Sequence, residues 1–210
     1  MLTLHDYRPS LNGWKVRVLL GLLGIEYRYR EVALFQGESR TEEFLRLNPV
    51  GAVPVLELED GRAIAESSAI LVYLAQGTPF LPEERYATAK IVQWLSFEQY
   101  YIEPTIGSLR FWTLTGRLGA NEGRMIESRR ENATRALVAL ERSLREGSFL
   151  VGESLTIADI AVYAYTHRAR EGGFSLDSYG ALCAWLRRVA AEIGADYPVA
   201  AYTADAMWGG

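Results

Sequence analysis

The chain has 210 residues, 49% hydrophobic and 23% charged, a composition typical of a globular protein with one large domain or two compact ones. Its formal net charge of -4 argues against a nucleic-acid partner, because phosphates require a basic face. The single cysteine, Cys183, excludes an internal disulfide, so we expect a reducing, cytoplasmic location. Neither a secretory pattern nor a run of about 18 apolar residues is present, and we expect no membrane span.

The first 76 residues alternate between strand and helix patterns. In chain order we predict a strand over 2–7, a helix over 12–23, a strand over 27–32, a helix over 41–47, strands over 53–58 and 62–65, and a helix over 67–75. Asp60-Gly61 is a hairpin signal between the last two strands. Because a β-α-β start requires a parallel pair and a hairpin an antiparallel one, we predict a mixed four-stranded sheet in β-α-β-α-β-β-α order over residues 1–76.

The remainder of the chain has almost no strand pattern. Residues 77–83 are a linker by composition, and residues 84–210 are predicted to form an all-helical bundle. The helical patterns run over 84–115, 123–146, 156–171 and 178–193. Pro104 should kink or divide the first of these helices. The irregular segment after residue 195 is expected to pack on the bundle, and the pair Arg129-Arg130 to lie on a solvated helix face.

Ser10 and Asn12 lie between the first strand and the first helix. One interpretation is structural: either side chain caps the helix, and Gly13 eases the turn. The other is functional, because a hydroxyl and an amide at a helix N-terminus can donate hydrogen bonds to a thiolate.

Two further patterns in this domain have both structural and functional interpretations. Val53-Pro54 opens a strand, and a proline there indicates either an ordinary edge strand or a cis bond that presents Val53 to a ligand. Glu66 and Ser67 begin a helix, as a cap or as a site where the serine and free N–H groups bind a carboxylate and the glutamate an ammonium.

Four motifs in order along the chain resemble the glutathione transferase family, in its serine- or asparagine-type bacterial, theta- and nu-like branches. They are Ser10-x-Asn-x-x-Lys-Val16, Leu45-x-x-Asn-Pro-x-Gly-x-Val-Pro54, Ala65-Glu-Ser-Ser-Ala-Ile70 and Thr156-Ile-Ala-Asp159. The resemblance implies a thioredoxin-like first domain that binds glutathione and a helical second domain that binds the electrophile. It also implies a homodimer, and no metal is expected.

The resemblance also implies roles for individual residues of the first domain. Ser10 is the first candidate for activating the thiol, Asn12 the second and Tyr7 a less favoured third. The expected glutathione contacts are the Val53 backbone on a cis Pro54, Glu66 and Ser67 for the γ-glutamyl group, and Gln36 for the glycine carboxylate. Gln36 fits a solvated loop glutamine equally well.

In the second domain, polar and aromatic side chains recur along the first long helix. Those expected to line the electrophile pocket are Tyr100, Tyr101, Ser108 and Trp112, and Arg110 is either a contact for an anionic substrate or a surface residue. Thr156 and Asp159 form a capping box, which we interpret as a folding element.

The predicted function is therefore a glutathione transferase that activates the thiol for attack on a small hydrophobic electrophile. Two alternatives stay open: a glutathione-binding stress or scaffold protein with little turnover, and a glutathione-dependent peroxidase or isomerase.

Overall fold

The computed structural model describes residues 1–120 and 123–207, so residues 121, 122 and 208–210 of the predicted helical domain lie outside the description. The chain divides into two compact units. The first contains residues 1–76 and 195–206, and the second residues 77–194 with Met207. Within the described residues, no helix has the length and apolar character needed to cross a membrane.

The first unit contains the predicted mixed sheet. Its elements are β1 (Leu2–Asp6), α1 (Leu11–Leu22), β2 (Tyr27–Glu31), α2 (Glu42–Leu47), β3 (Val55–Glu57), β4 (Ala63–Ala65) and α3 (Ser67–Ala75), with short 3₁₀ turns at Leu34–Gln36 and Glu38–Arg40. The strand order is β2-β1-β3-β4, with β1 parallel to β2 and the other two pairs antiparallel. The predicted element order and topology are confirmed.

The strand register brings four connecting segments to one edge of the sheet. His5 on β1 pairs with Val55 on β3, and Val55 pairs with Ala65 on β4. On the other side of β1, Asp6 pairs with Glu31 on β2. The ends of β1, β2 and β4 therefore meet the start of β3 at this edge. We call it the loop edge. In the strand order β2-β1-β3-β4, it carries the segment after β2, the segment after β1, the segment before β3 and the segment after β4.

Both faces of the sheet are covered by helices, which fixes the loop edge in place. Helices α1 and α3 pack against each other, and Val16, Leu20 and Ile70 are among their fully buried side chains. Under α2, Phe44 packs with Val32 and Val55. Burying each of these side chains contributes about 1.5–3 kcal/mol, which holds the strand ends and the helix starts in register.

The second unit is all-helical in its described part, as predicted. Its elements are α4 (Arg85–Phe97), a π-helical segment (Glu98–Gly107), α5 (Ser108–Leu114), α6 (Gly123–Ser143), α7 (Ile157–Thr166) and α8 (Gly180–Ile193), with 3₁₀ turns at Leu118–Ala120 and Ala169–Gly172. The predicted linker residues lie with this unit, where the Phe80 carbonyl accepts a hydrogen bond from the Ile157 N–H.

The π-helical segment replaces the predicted kink at Pro104. A proline has no N–H to bond the carbonyl four residues earlier, and its ring clashes with that carbonyl in an α-helix. The wider π turn accommodates Pro104, and the Thr105 hydroxyl donates to the Tyr101 carbonyl. The Pro104 carbonyl accepts from the Arg129 guanidinium on α6.

Two expectations about the later part of the chain are wrong. Residues 195–206, which we call the returning segment, belong to the first unit, whereas the sequence predicted a place on the bundle. The Trp14 indole donates to the Tyr197 carbonyl at 2.8 Å, a bond that a periodicity argument cannot anticipate. Arg129 and Arg130 are half-buried rather than solvated, because each guanidinium lies over an aromatic ring, at 4.8 Å from Trp112 and 5.7 Å from Phe174.

Candidate functional site

Ser10 sits at the start of α1, immediately after the turn that leaves β1. Its hydroxyl oxygen accepts a hydrogen bond from the Gly13 N–H at 3.3 Å, and its backbone is extended, as in a helix N-cap. The oxygen acts as the acceptor in this bond, so the hydroxyl proton is left to donate. The structural and the functional interpretation of Ser10 are therefore compatible.

Asn12 lies in the first turn of α1, and its amide orientation is fixed by a buried neighbour. The Lys15 ammonium donates to Asn12 Oδ1 at 2.8 Å. Because an ammonium can only donate, the oxygen must face Lys15 and the Nδ2 group must face away from it. Asn12 Nδ2 has no hydrogen-bond partner among the described residues, so two amide protons at the helix N-terminus are left to donate.

The buried carboxylate of Asp6 lies against the first turn of α1, and the sequence did not predict this contact. Asp6 is fully buried, accepts from the Tyr7 N–H at 2.8 Å and pairs with the Arg17 guanidinium. A Cβ atom at Gly13 would lie 1.8 Å from the Asp6 carboxylate, so only glycine fits where α1 crosses it. The partners are 11 positions apart in different elements, so no local spacing signals the pair.

The ionisation of Asp6 reflects its burial. Desolvation raises the pKa of Asp6 to about 7, and the positive charge of Arg17 opposes this shift. Arg17 also donates to the Arg8 carbonyl at 2.9 Å, so the pair ties both the strand end and the following turn to α1.

The strand β3 is preceded by a cis peptide bond between Val53 and Pro54, so the cis alternative of the two interpretations is confirmed. Pro54 is buried and Val53 is half-buried. In the described part of the chain, the Val53 backbone N–H and carbonyl have no hydrogen-bond partner. Both groups lie at the loop edge, where β3 begins.

Glu66 and Ser67 connect β4 to α3 at the far end of the loop edge. Glu66 has φ 68°, and among the described residues it is the one non-glycine with positive φ. Such backbone outliers cost about 1–3 kcal/mol and cluster at ligand-binding positions. The Glu66 side chain makes no cap hydrogen bond, and the Ser67 hydroxyl has no bonding partner within the described residues. The N-terminus of α3 thus keeps its capacity to bind an anion.

Gln36 and Tyr7 contact the returning segment. Gln36 is exposed in the 3₁₀ turn after β2, and its Nε2 donates to the Asp205 carboxylate at 3.4 Å. The Tyr7 hydroxyl lies 2.6 Å from Thr203 Oγ1 and accepts from the Thr203 N–H at 3.2 Å. These bonds hold the Tyr7 hydroxyl against Thr203, and Tyr7 stays the less favoured candidate for the thiol donor.

The residues predicted to line an electrophile pocket are only partly brought together. Tyr100 and Tyr101 are exposed and line a cavity of about 630 Å³ with Gln93 and Phe97, whereas Ser108 and Trp112 do not line it. Arg110 is neither a surface residue nor open to a substrate, because it is buried and its Nε donates to the Glu171 carboxylate at 2.5 Å. Both interpretations of Arg110 are therefore wrong.

Two family models match the chain, one in each half. Residues 9–76 match the family model for the glutathione S-transferase N-terminal domain, and residues 102–192 match the model for the C-terminal domain.

Similar proteins were found both by sequence and by structure. A glutathione S-transferase from Pseudomonas fluorescens superposes with a TM-score of 0.85 at 43% identity, covering 90% of this chain and 94% of that one. Maleylacetoacetate isomerase from Dictyostelium discoideum is 30% identical over 183 residues, 84% of this chain and 83% of its own length. Ure2p in complex with glutathione has a TM-score of 0.82 at 26% identity, covering 90% and 93% of the two chains. The chain therefore belongs to the glutathione S-transferase family of enzymes, and its function is a glutathione-using one.

Proposed function

We propose that this chain binds glutathione along the loop edge of the first unit and converts the thiol to a thiolate that attacks a small hydrophobic electrophile. One observation carries the proposal: the order of the candidate residues across the sheet. Gln36 follows β2, Ser10 follows β1, Val53 precedes β3, and Glu66 and Ser67 follow β4. Read in that order, they match the glycine, cysteine and γ-glutamyl parts of glutathione.

The dimensions of the loop edge support this match. Neighbouring strands lie about 4.8 Å apart, so four strands span roughly 14 Å. An extended tripeptide spans roughly 10 Å, at about 3.3–3.6 Å per residue. The remaining distance of roughly 4 Å is within reach of the Gln36 side chain at one end and the Glu66 side chain at the other, so one glutathione molecule can contact both ends of the loop edge.

At the two ends of the ligand, charge and hydrogen-bonding capacity favour carboxylates and an ammonium. We assign the γ-glutamyl carboxylate to the Ser67 hydroxyl and the free N–H groups of α3, and its ammonium to Glu66. The glycine carboxylate is assigned to the Gln36 amide, where it would replace the Asp205 carboxylate as the hydrogen-bond acceptor. In the middle, the unbonded N–H and carbonyl of Val53 would pair with the cysteinyl backbone.

Thiol activation is assigned to Ser10 and Asn12. A free thiol has a pKa of about 8.5, and lowering it by about two units requires about 2.7 kcal/mol of differential stabilisation. The Ser10 hydroxyl, the Asn12 Nδ2 group and the N-terminus of α1 are three donors to a negative sulfur. The first turn of α1 has no acidic residue to oppose them. The substrate supplies the nucleophile, and the protein supplies the hydrogen bonds.

The electrophile is assigned to the second unit, with Tyr100, Tyr101, Ser108 and Trp112 as proposed contacts. The cavity beside the two tyrosines supports this for Tyr100 and Tyr101. Ser108 and Trp112 lie four positions apart, so they share one face of α5. A small apolar substrate fits aromatic walls of this kind.

A second candidate, glutathione-dependent isomerisation, is favoured by the relative named maleylacetoacetate isomerase. It would use the same thiolate, which adds to an unsaturated substrate and is then expelled, so no glutathione is consumed. A glutathione-binding protein with little turnover would share the loop edge but show neither reaction.

We also infer a homodimer and a cytoplasmic location. Two exposed apolar side chains on α4, Tyr86 and Val92, support the former. The lone Cys183, which has no disulfide partner, is compatible with a reducing compartment.

The test is retention on immobilised glutathione followed by assays with a panel of electrophiles, hydroperoxides and cis-unsaturated acids. Retention with consumption of glutathione by an electrophile supports transfer, and turnover without consumption supports isomerisation. Ser67→Ala should weaken glutathione binding about 10-fold, the effect of losing roughly 1.4 kcal/mol. Ser128→Ala on the exposed face of α6 is the matched control and should not change it. Lack of retention would contradict the proposal.

A further inference from the structure

The returning segment, residues 195–206, has no role in the function proposed above. It follows α8 in the chain, yet it belongs to the first unit. Besides the bond between Gln36 and Asp205, it contacts the two residues that flank the Ser10 turn, Tyr7 on the β1 side and Trp14 on the α1 side.

The first contact holds the end of β1. The Tyr7 hydroxyl lies 2.6 Å from Thr203 Oγ1 and accepts from the Thr203 N–H at 3.2 Å. The Tyr202 ring stacks on Tyr7 with centroids 6.4 Å apart, and Phe35 meets Tyr7 edge-on at 5.6 Å. Tyr7 is only 5% exposed, so its position is set by these neighbours.

The second contact holds the first turn of α1. The Trp14 indole N–H donates to the Tyr197 carbonyl at 2.8 Å. Tyr197 lies so close to α1 that a Cβ atom at Gly21 would be 1.9 Å from its hydroxyl oxygen. The segment is therefore fixed to α1 through both the backbone and the side chain of Tyr197.

Both flanking residues are bonded directly to Ser10. The Ser10 N–H donates to the Tyr7 carbonyl at 2.7 Å, and the Trp14 N–H donates to the Ser10 carbonyl at 2.9 Å. One backbone hydrogen bond thus separates each contact of the returning segment from Ser10. A displacement of Tyr7 or Trp14 is transmitted to the Ser10 hydroxyl without any intervening side chain.

Between its two contacts the returning segment is loosely packed. Pro198 and Ala200 line a cavity of about 260 Å³ together with Arg8, Trp14 and Tyr27. The segment is therefore held at its ends by specific hydrogen bonds rather than along its length by continuous packing. Removing one such bond should release that end without disrupting the core.

We propose that the returning segment positions the Ser10 hydroxyl for thiol activation, with Thr203 as the positioning residue that acts through Tyr7. The inference rests on the proposed function of Ser10. Donors to a developing charge must be placed closely, and a misplacement of about 1 Å can cost about 100-fold in rate. The segment restrains the Ser10 turn from both sides.

The test compares Thr203→Val, which keeps the shape and removes the hydroxyl, with Thr203→Ser, which keeps the hydroxyl. The readouts are the pKa of the enzyme-bound glutathione thiol, from the pH dependence of thiolate ultraviolet absorbance, and the dissociation constant of glutathione. Thr203→Val should raise the thiol pKa by roughly half a unit to one unit, a 3- to 10-fold loss of thiolate below that pKa. Thr203→Ser should restore the wild-type pKa. The dissociation constant, measured at about pH 5.5 where the bound thiol is protonated, should change less than about 2-fold in both variants, because the Ser10 hydroxyl stabilises the thiolate and not the thiol.

Two further variants separate the possible failures. Tyr7→Phe removes both hydrogen bonds to residue 203, whereas Thr203→Val keeps the backbone one, so Tyr7→Phe should raise the thiol pKa at least as much as Thr203→Val. If Ser10→Ala raises the thiol pKa but Thr203→Val and Tyr7→Phe do not, the positioning role is wrong and the proposed function stands. If Ser10→Ala has no effect while Tyr7→Phe has a large one, the assignment of Ser10 is itself wrong. If Thr203→Val lowers the affinity for glutathione at about pH 5.5 and also lowers thermal stability, the contact is merely structural and the proposal is overturned.

Discussion

Two helix N-termini in this chain use similar residues for opposite purposes. At α7, the Thr156 hydroxyl accepts from the Ala158 N–H, and the Asp159 carboxylate accepts from the Thr156 N–H and hydroxyl, the Leu150 N–H and the Trp185 indole. At α1, the Ser10 oxygen accepts one bond, no acidic residue follows, and Asn12 Nδ2 is unbonded within the described residues. The saturated terminus holds the fold, and the unsaturated one can bind an anion.

The same contrast extends to other buried polar groups of the second unit. Arg110 pairs with Glu171, and the His167 ring is bonded on both sides, with Nδ1 at 2.8 Å from the Tyr163 carbonyl and Nε2 accepting from Arg168. By comparison, the Ser67 hydroxyl and the Val53 backbone at the loop edge have no bonding partner in the described chain. At these positions, unused hydrogen-bonding capacity distinguishes the candidate site from the folding elements better than residue type does, although it does not by itself identify a site, because the buried Trp94 indole N–H also has no partner in the part of the chain that the structure describes.

The largest effect is expected from Asp159→Ala. It leaves four donors without a partner, the part-buried Leu150 N–H and three buried groups: the Thr156 N–H, the Thr156 hydroxyl and the Trp185 indole N–H. Each costs about 1–3 kcal/mol, so we expect the free energy of unfolding in urea to fall by at least about 3 kcal/mol. Asp177→Ala, at an exposed carboxylate, should change it by less than about 0.5 kcal/mol. A loss below about 1 kcal/mol at Asp159 would mean that this helix terminus is not the saturated one.

A slightly smaller effect is expected from His167 as the pH falls. Burial lowers the pKa of His167 from 6.5 to about 4, because it disfavours the charged ring, and the positive charge of the neighbouring Arg168 acts in the same direction. The unfolded chain takes up this proton below pH 6.5 and the folded chain only below about 4, so the stability is present above 6.5 and is lost across that window. The loss amounts to about 3 kcal/mol at 1.36 kcal/mol per pKa unit.

The measurement for His167 is the free energy of unfolding between pH 8 and pH 4, in the wild type and in His167→Gln. Glutamine can donate and accept as the neutral ring does but does not titrate. The difference between the two proteins should therefore be flat above pH 6.5 and change below it. Parallel curves across the whole range would contradict the account of His167.

The smallest and most diagnostic effect comes from truncating the two caps, Thr156→Ala and Ser10→Ala. Each should cost about 1 kcal/mol of unfolding free energy, the usual value of an N-cap. Only Ser10→Ala should change the reactivity of bound glutathione, because only α1 leaves donors free. Urea unfolding and a glutathione conjugation assay on both variants check this. If Thr156→Ala and Ser10→Ala lower conjugation equally, the proposed difference between the two helix termini is wrong.

Much of the fold follows from local patterns. The hairpin at Asp60-Gly61 appears as predicted, with Gly61 at φ 84°, and the strand and helix order follows from residue periodicity. The Thr156-Asp159 capping box is also present as predicted, since its partners lie three residues apart. These features depend on residues that are close in the sequence, so a local sequence pattern can predict them.

What the sequence could not predict depends on distant partners. Asp6 pairs with Arg17 across two elements, Arg110 meets Glu171 61 positions away, and Tyr7 meets Thr203 196 positions away. The π-helical segment could not be predicted either, since a proline within a helix can produce a kink or a wider turn and the sequence does not distinguish the two. The candidate residues of the site were therefore predictable, but the contacts that orient them were not.

The central claim is that Ser10 and Asn12 together stabilise the glutathione thiolate. The most direct measurement is the pKa of the bound thiol in the wild type, Ser10→Ala, Asn12→Ala and the double variant, from the pH dependence of thiolate absorbance. We expect each single variant to raise that pKa by about one unit, as the loss of one charge-assisted hydrogen bond implies, and the double variant to approach the free value of about 8.5. A wild-type thiol pKa that none of the three variants changes would contradict the account.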